Sequence, residues 1–353
     1  MTKLKSMSRR EFFVAGAGIA GGAALSAGGM TRGGLPASRG SARMAGSGQA
    51  QAAGPAAGSR VVLVRTDSRA DGVKKCLDLL NIDPFKGKDV LIKPNLNTSD
   101  ETPGSTHADT LKALLGRIRE MGAKSLAIGD RSGPEPTPQV FDKKGIPALA
   151  GSFDAKLLNF DELGPDGYVK VTPPGSHWKD GFLIARPVVE AGCVVSTCCL
   201  KTHQYGGVFT MSLKNSVGTV PRKDTTLMRE LHSSPDQRRM IAEINYAYRP
   251  AVILLDGLVA YVDGGPMTGT RKDAGVFLAG TDRVAVDAVG VAILKELGSN
   301  DAIMKPGIFA QEQIARAVEL GLGVSSAAGI VIAAPDAASE AYAEKIRKIL
   351  SAG

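Results

Sequence analysis

Eight short runs rich in Val, Ile and Leu recur after Ser59, and stretches of helical periodicity separate most of them. The runs are RVVLVR (60–65), DVLIKPN (89–95), SLAIGD (125–130), AKLLNF (155–160), GCVVSTC (192–198), AVILLDG (251–257), GVFLAGTD (275–282) and GIVIAA (329–334). Helical patterns fall at 71–80, 108–121, 237–247, 283–297, 312–320 and 339–350. A strand that is apolar at successive positions has no face to give to water, so it needs a covering layer on each side. The pattern predicts an α/β fold, a mostly parallel, doubly wound sheet with helices on both faces. The stretch from about 161 to 182 carries GPDG and TPPGSHW, turn chemistry that predicts a small insertion such as a hairpin.

The first residues follow a different logic. SRREFF (8–13) precedes the weakly apolar VAGAGIAGGAALSAGG (14–29), and the basic start, arginine pair and apolar run together resemble a twin-arginine (Tat) export signal. The run is too short and too rich in small residues for a stable membrane span. A Gly/Ala/Ser linker up to residue 58 and a single domain over 59–353 are expected to follow it. Export by the Tat translocase places the mature protein in the periplasm or outside the cell. That route carries folded proteins, so a metal or redox cofactor loaded beforehand is an open possibility.

The formal charge of +8 suggests a nucleic-acid binder only until it is located. Before Ser59 stand seven basic residues (Lys3, Lys5, Arg9, Arg10, Arg32, Arg39, Arg43) against Glu11 alone, which leaves +2 for everything after them. A nucleic-acid footprint is therefore not expected. The aromatic content of 5% likewise argues against a binding module built on aromatic faces. Cys76, Cys193, Cys198 and Cys199 include no CxxC pair and no ferredoxin-type spacing, so they read first as small buried apolar residues.

Function is sought where strands end, because open α/β sheets bind ligands beyond the carboxyl ends of their strands. Residues 89–92 deliver Lys93-Pro94-Asn95, and 125–129 deliver Asp130-Arg131-Ser132-Gly133. Further on, 192–197 lead to Lys201-Thr202-His203, 251–255 to Asp256-Gly257, and 275–280 to Thr281-Asp282. Lys214 and Asn215 follow in SLKN. Lys201, His203 and Lys93 are the candidates for catalysis, by proton transfer or as a base whose pKa burial lowers. Asn95, His107, Asp130, Lys214, Asn215, Asp256 and Gly265 are the candidates for ligand binding. Local readings stand beside these: Asp130 and Asp282 suit helix caps or Asx turns, and His107 suits a backbone contact at a helix start. Asp256, Asp263 and Asp282 show no spacing typical of metal ligands, so any metal is unknown.

No GxxxxGK[ST] or GxSxG occurs, and no GxGxxG opens a helix after the first strand, which disfavours a P-loop, a serine hydrolase and a Rossmann cofactor. The segments VLIKPNL (90–96), STHAD (105–109), IGD (128–130) with Ser132-Gly133, LKTH (200–203), SLKNSVG (212–218), LLDG (254–257), GGPMTG (264–269) and LAGTDRVAVDAVG (278–290) resemble the domain-of-unknown-function family 362. The likeness runs in order from about residue 61 to 297. It implies an α/β protein and shared positions at Lys93, Asn95, His107, Asp130, Lys201, His203, Lys214, Asn215, Asp256 and Asp287. Many members carry a ferredoxin-like module with two cysteine runs. No cysteine follows Cys199 here, so the iron–sulfur label does not transfer.

The resulting expectation is an exported α/β protein whose Lys/His/Asn/Asp cleft binds a small anionic molecule, a carboxylate or phosphate. It is expected to act on that molecule by proton-transfer or redox chemistry. The alternatives are a non-catalytic periplasmic binding protein or carrier of a metal or iron–sulfur cofactor, and an interaction protein with no pocket.

Overall fold

A computed structural model describes residues 58–223 and 225–353; the predicted signal and nearly all of the linker lie outside them. Nine strands form one sheet: β1 (Ser59–Arg65), β2 (Asp89–Lys93), β3 (Ser125–Asp130), β4 (Ala155–Asn159), β7 (Cys193–His203), β8 (Val208–Thr210), β9 (Val252–Gly264), β10 (Gly269–Gly280) and β11 (Ile330–Ala333). Its order is β11-β1-β10-β9-β7-β2-β3-β4, with β8 added to β7. All pairs are parallel except those made by β10 and β8. Within 161–182 and just beyond, β5 (Tyr168–Val171) and β6 (Phe182–Ala185) pair as an antiparallel hairpin, the small insertion that the turn residues predict.

Strand alternation sends side chains to two helical layers. Val61, Leu63, Leu200, Ile253, Leu255 and Leu278 pack with α5 (Arg283–Glu296), α6 (Glu312–Glu319) and α7 (Ala337–Ala352), the last of the helices needed here. Val62, Val64, Ile92, Ile128, Val195 and Leu254 face the other way, onto α1 (Arg69–Leu80) and α2 (Ala108–Glu120). The short α3 (Ser212–Asn215) and α4 (Gln237–Ile244) lie between β8 and β9 in the chain. Each fully buried Val, Leu or Ile contributes about 1.5–3 kcal/mol relative to exposure, which favours apolar side chains over most of the central strands. The four cysteines are free and buried.

The chain runs outward from β2 through β3 to β4, then returns on the other side of β2 as β7. Strand order therefore reverses between β2 and β7, the kind of place where a crevice opens at the carboxyl edge. Lys93 ends β2 opposite Ser196, and β7 continues past it to His203.

Two readings of the sequence change. The runs at 251–257 and 275–282 are halves of one long hairpin, β9 and β10, turning through Gly265–Thr268. Because β10 runs against its neighbours, Thr281-Asp282 leaves the sheet at the edge opposite the other polar exits. There Asp282 caps α5 through the Val284 and Ala285 N–H groups and binds Ser59 Oγ and Val324 N. Replacing Asp282 with Ala should cost about 1–2 kcal/mol in denaturant unfolding while leaving ligand affinity at the opposite edge unchanged.

Candidate functional site

At the carboxyl edge a cavity of about 40 Å³ is lined by Lys93, Asn95, Asp130, Lys201, His203, Lys214 and Asn215, together with Asn97, Arg131, Thr210, Gly218 and Pro266 among others. By volume it holds roughly three water molecules. Seven of the ten residues singled out from the sequence thus meet at one place.

Lys93 and Asp130 make its floor. The Lys93 ammonium donates to Asp130 Oδ1 and to Pro94 O, each at 2.7 Å, and lies 3.4 Å from Asn215 Oδ1. Asp130 also accepts the backbone N–H groups of Leu96 and Arg131, both at 2.7 Å. Burial pushes the carboxyl up and the ammonium down, and these charge-assisted bonds oppose both shifts. Asn215 staples α3 to the sheet by donating to Lys93 O, Ser196 Oγ and Thr197 O.

Lys201, fully buried on β7, donates to Gly104 O at 2.5 Å and lies 3.3–3.4 Å from Pro266 O and Asn95 Oδ1. All three acceptors are neutral. Burial lowers its pKa to about 8. Gly265, the residue before Pro266, has φ 71°, and a Cβ there would stand 2.1 Å from Thr202 O. Its place in the site is to let the turn lie flat on β7.

His203, one side chain further along the same face of β7, is held well below its usual pKa by burial and by Lys214. Its Nδ1 accepts from Gly207 N–H at 3.3 Å, so the neutral ring carries its proton on Nε2. The turn that supplies that N–H is strained: Val208 holds φ 66°, a β-branched residue in the left-handed region, at a cost of about 1–3 kcal/mol. Gln313 Nε2 holds it in place through Gly207 O and Phe209 O.

Lys214 differs from the other lysines. No described residue accepts a hydrogen bond from its ammonium. Burial, then the fields of Lys201 and Arg131, lower its pKa to about 7. The short helix that presents it is seated by Asp287 of α5, whose carboxylate accepts Ser212 N–H at 2.8 Å and Leu213 N–H at 2.9 Å. Burial pushes the Asp287 carboxyl up to about 7 against those two bonds.

The Arg131 guanidinium spends its donors on Val220, Val217 and Ser132 carbonyls and the Met228 sulfur. The Thr210 hydroxyl is buried with no partner among the described residues. Neither residue stood out in the sequence: Arg131 is masked by Asp130 beside it, and Thr210 lies on the three-residue β8, which has no recognisable period.

Two candidates lie elsewhere. His107 caps α2, its Nδ1 accepting Asp109 N–H at 3.1 Å. Asp256 is buried inside β9, bound by Arg69 Nε at 3.0 Å and Thr110 Oγ1 at 2.7 Å, and joins the sheet to α1 and α2. The sequence placed it at a strand end, but β9 runs on to Gly264. Among the described residues no group of three or more His, Cys, Asp or Glu is arranged to hold a metal ion, and no helix is long and apolar enough to cross a membrane.

Gly218 fixes the floor. A Cβ there would stand 2.5 Å from Asp130 Oδ1 and 2.8 Å from Lys93 Nζ. Gly218→Ala should force the ion pair apart, with a loss of about 2–4 kcal/mol in unfolding free energy and of ligand-induced thermal stabilisation.

The profile of the family described as a domain of unknown function, DUF362, matches residues 90–292. A thylakoid-associated protein of Synechocystis sp. is 27% identical over 234 residues, 65% of this chain and 68% of that protein. The lactate racemase apoprotein of Thermoanaerobacterium thermosaccharolyticum superposes with a TM-score of 0.40 at 19% identity, over 57% of this chain and 50% of that one. A Thermotoga maritima protein does so with a TM-score of 0.41 at 13% identity, over 71% of this chain and 58% of its own. The chain thus spans between half and three-fifths of the length of these two structures.

Proposed function

The chain belongs to the DUF362 family, and from that premise we propose that its carboxyl-edge cavity binds a small anion, a carboxylate or phosphate, and moves a proton on it. One observation carries the reading: the cavity holds an excess of buried positive charge. Lys93, Arg131 and Lys201, all buried, line it, and Asp130 is the one carboxylate among the lining residues. Asp130 is committed to Lys93, and nearby Asp161 to Arg222. Lys201 donates hydrogen bonds only to neutral oxygens. A buried cation without a counter-ion is costly, and an anionic ligand removes that cost.

The donors left over define how the ligand sits. Lys214 Nζ, the His203 Nε2–H and the Thr210 hydroxyl have no acceptor among the described residues and line the same space. The imidazole N–H serves as donor to charge that develops on oxygen, and the neutral amine of Lys214 is the group left to react with the ligand. The test is calorimetric titration with oxalate and with inorganic phosphate. Lys201→Met should keep the fold and lose at least about tenfold in affinity, which corresponds to 1.4 kcal/mol; unchanged affinity overturns the reading. Affinity for an anion is linked to the protonated lysines, so in the wild type it should be complete below pH 7–8 and fall as pH rises through the Lys201 pKa of about 8. Lys201→Met should flatten that limb. Deuterium uptake from heavy water next to the carboxylate of a bound two- or three-carbon acid marks the protein as an enzyme. Tight binding without uptake favours the periplasmic binding protein.

The export reading belongs to the same proposal and rests on SRREFF and the apolar run behind it. Changing Arg9 and Arg10 together to Lys should hold the protein in the cytoplasm, seen by cell fractionation. Equal export of that variant, or export without the twin-arginine translocase, removes it.

A further inference from the structure

We infer that Lys214 is a nucleophile that forms an imine with a small 2-oxo acid, the carboxylate of which occupies the cationic cavity. The inference rests on the anion-binding reading and deepens it by naming the reactive group and the substrate class. A lysine held only for its charge would be expected to find an acceptor, as Lys93 and Lys201 each do. Lys214 has none among the described residues, and its side chain is not sealed off, being partly exposed where the others are buried.

The surroundings favour the neutral amine. Burial disfavours a charge on Lys214, and Lys201 and Arg131 repel it as well. His203 faces it as a neutral ring, and His232, bound through Nδ1 to Met228 O, is also kept neutral at physiological pH. A desolvated lysine beside other cations is the usual way to make an amine nucleophilic near neutral pH. Space has been left for it as well: a Cβ on Gly207 would stand 2.6 Å from Lys214 Cε and 2.9 Å from His203 Nδ1, so the two side chains lie side by side against that glycine.

The step balances without a further reactant. The amine lone pair forms the C–N bond to the carbonyl carbon, and the carbonyl oxygen takes a proton to give the carbinolamine. That oxygen then leaves as water with the hydrogens the nitrogen gives up, and C=N remains. The His203 Nε2–H and the Thr210 hydroxyl are the donors available to the oxygen. Lys201 and Arg131 supply the field that holds the carboxylate, and the cavity of about 40 Å³ restricts the acid to two or three carbons.

The experiment treats the purified protein with glyoxylate and cyanoborohydride, which reduces an imine to a stable secondary amine, followed by intact-mass and peptide analysis. One carboxymethyl group per chain on Lys214 is expected, formed faster as pH rises from 6 to 7.5 and suppressed by oxalate. In Lys214→Arg that adduct is absent, while exposed lysines such as Lys345 show the same slow labelling as in the wild type. Absence of the Lys214 adduct while oxalate still binds and stabilises the protein overturns the imine and leaves the anion site standing. Failure of both oxalate binding and labelling overturns both. Labelling of Lys214 no faster than Lys345 also overturns the inference.

Discussion

The Lys93–Asp130 pair is the contact on which the rest of the site depends. It joins the last residues of two neighbouring parallel strands, and its carboxylate also fixes the backbone of Leu96, where the chain leaves β2. From there the loop through Thr106 is held by Asn95, whose backbone accepts from and donates to Thr106. That loop brings Gly104 O and Asn95 Oδ1 to Lys201. A buried pair of this kind adds little net stability over apolar packing, yet removing one partner costs several kcal/mol. Its value here is positional.

Around that neutral pair the cavity is not neutral. The ammonium of Lys201 is solvated by carbonyl and amide oxygens, which stabilise a cation without cancelling it. Burial makes Lys214 and His203 give up protons more readily, and the field of Lys201 adds to that in a low-dielectric pocket. Under the proposed reading that ammonium would favour an incoming anion, and together with burial it keeps the neighbouring nitrogens in their neutral forms.

Much of this was legible in the sequence, for a physical reason. Charge is costly in a central strand unless a partner reaches it, so the first charged residue after a Val/Ile/Leu run is a signal for the strand's end, and Lys93, Asp130 and Lys201 are legible in that way. The direction of a strand leaves no such trace. Nothing in GVFLAG tells that β10 runs backward, so Asp282 was grouped with residues at the far edge. Asp256 misled for the related reason that β9 tolerates a buried carboxylate in its middle, where Arg69 and Thr110 reach it. Thr210 and Gly218 act through a missing partner and a missing methyl group, neither of which is a pattern.

The seat of Lys214 lies deep inside the molecule. Asp287 belongs to α5, a helix buried along nearly its whole length, and it grips two consecutive peptide groups of the short helix that carries the amine. The amine is therefore referenced to the hydrophobic interior and not to the rim of the cavity. A methyl group gained or lost between α5 and the sheet would bear on that seat and so on the Lys214 nitrogen, although no altered atom touched the cavity. In this protein interior packing doubles as alignment.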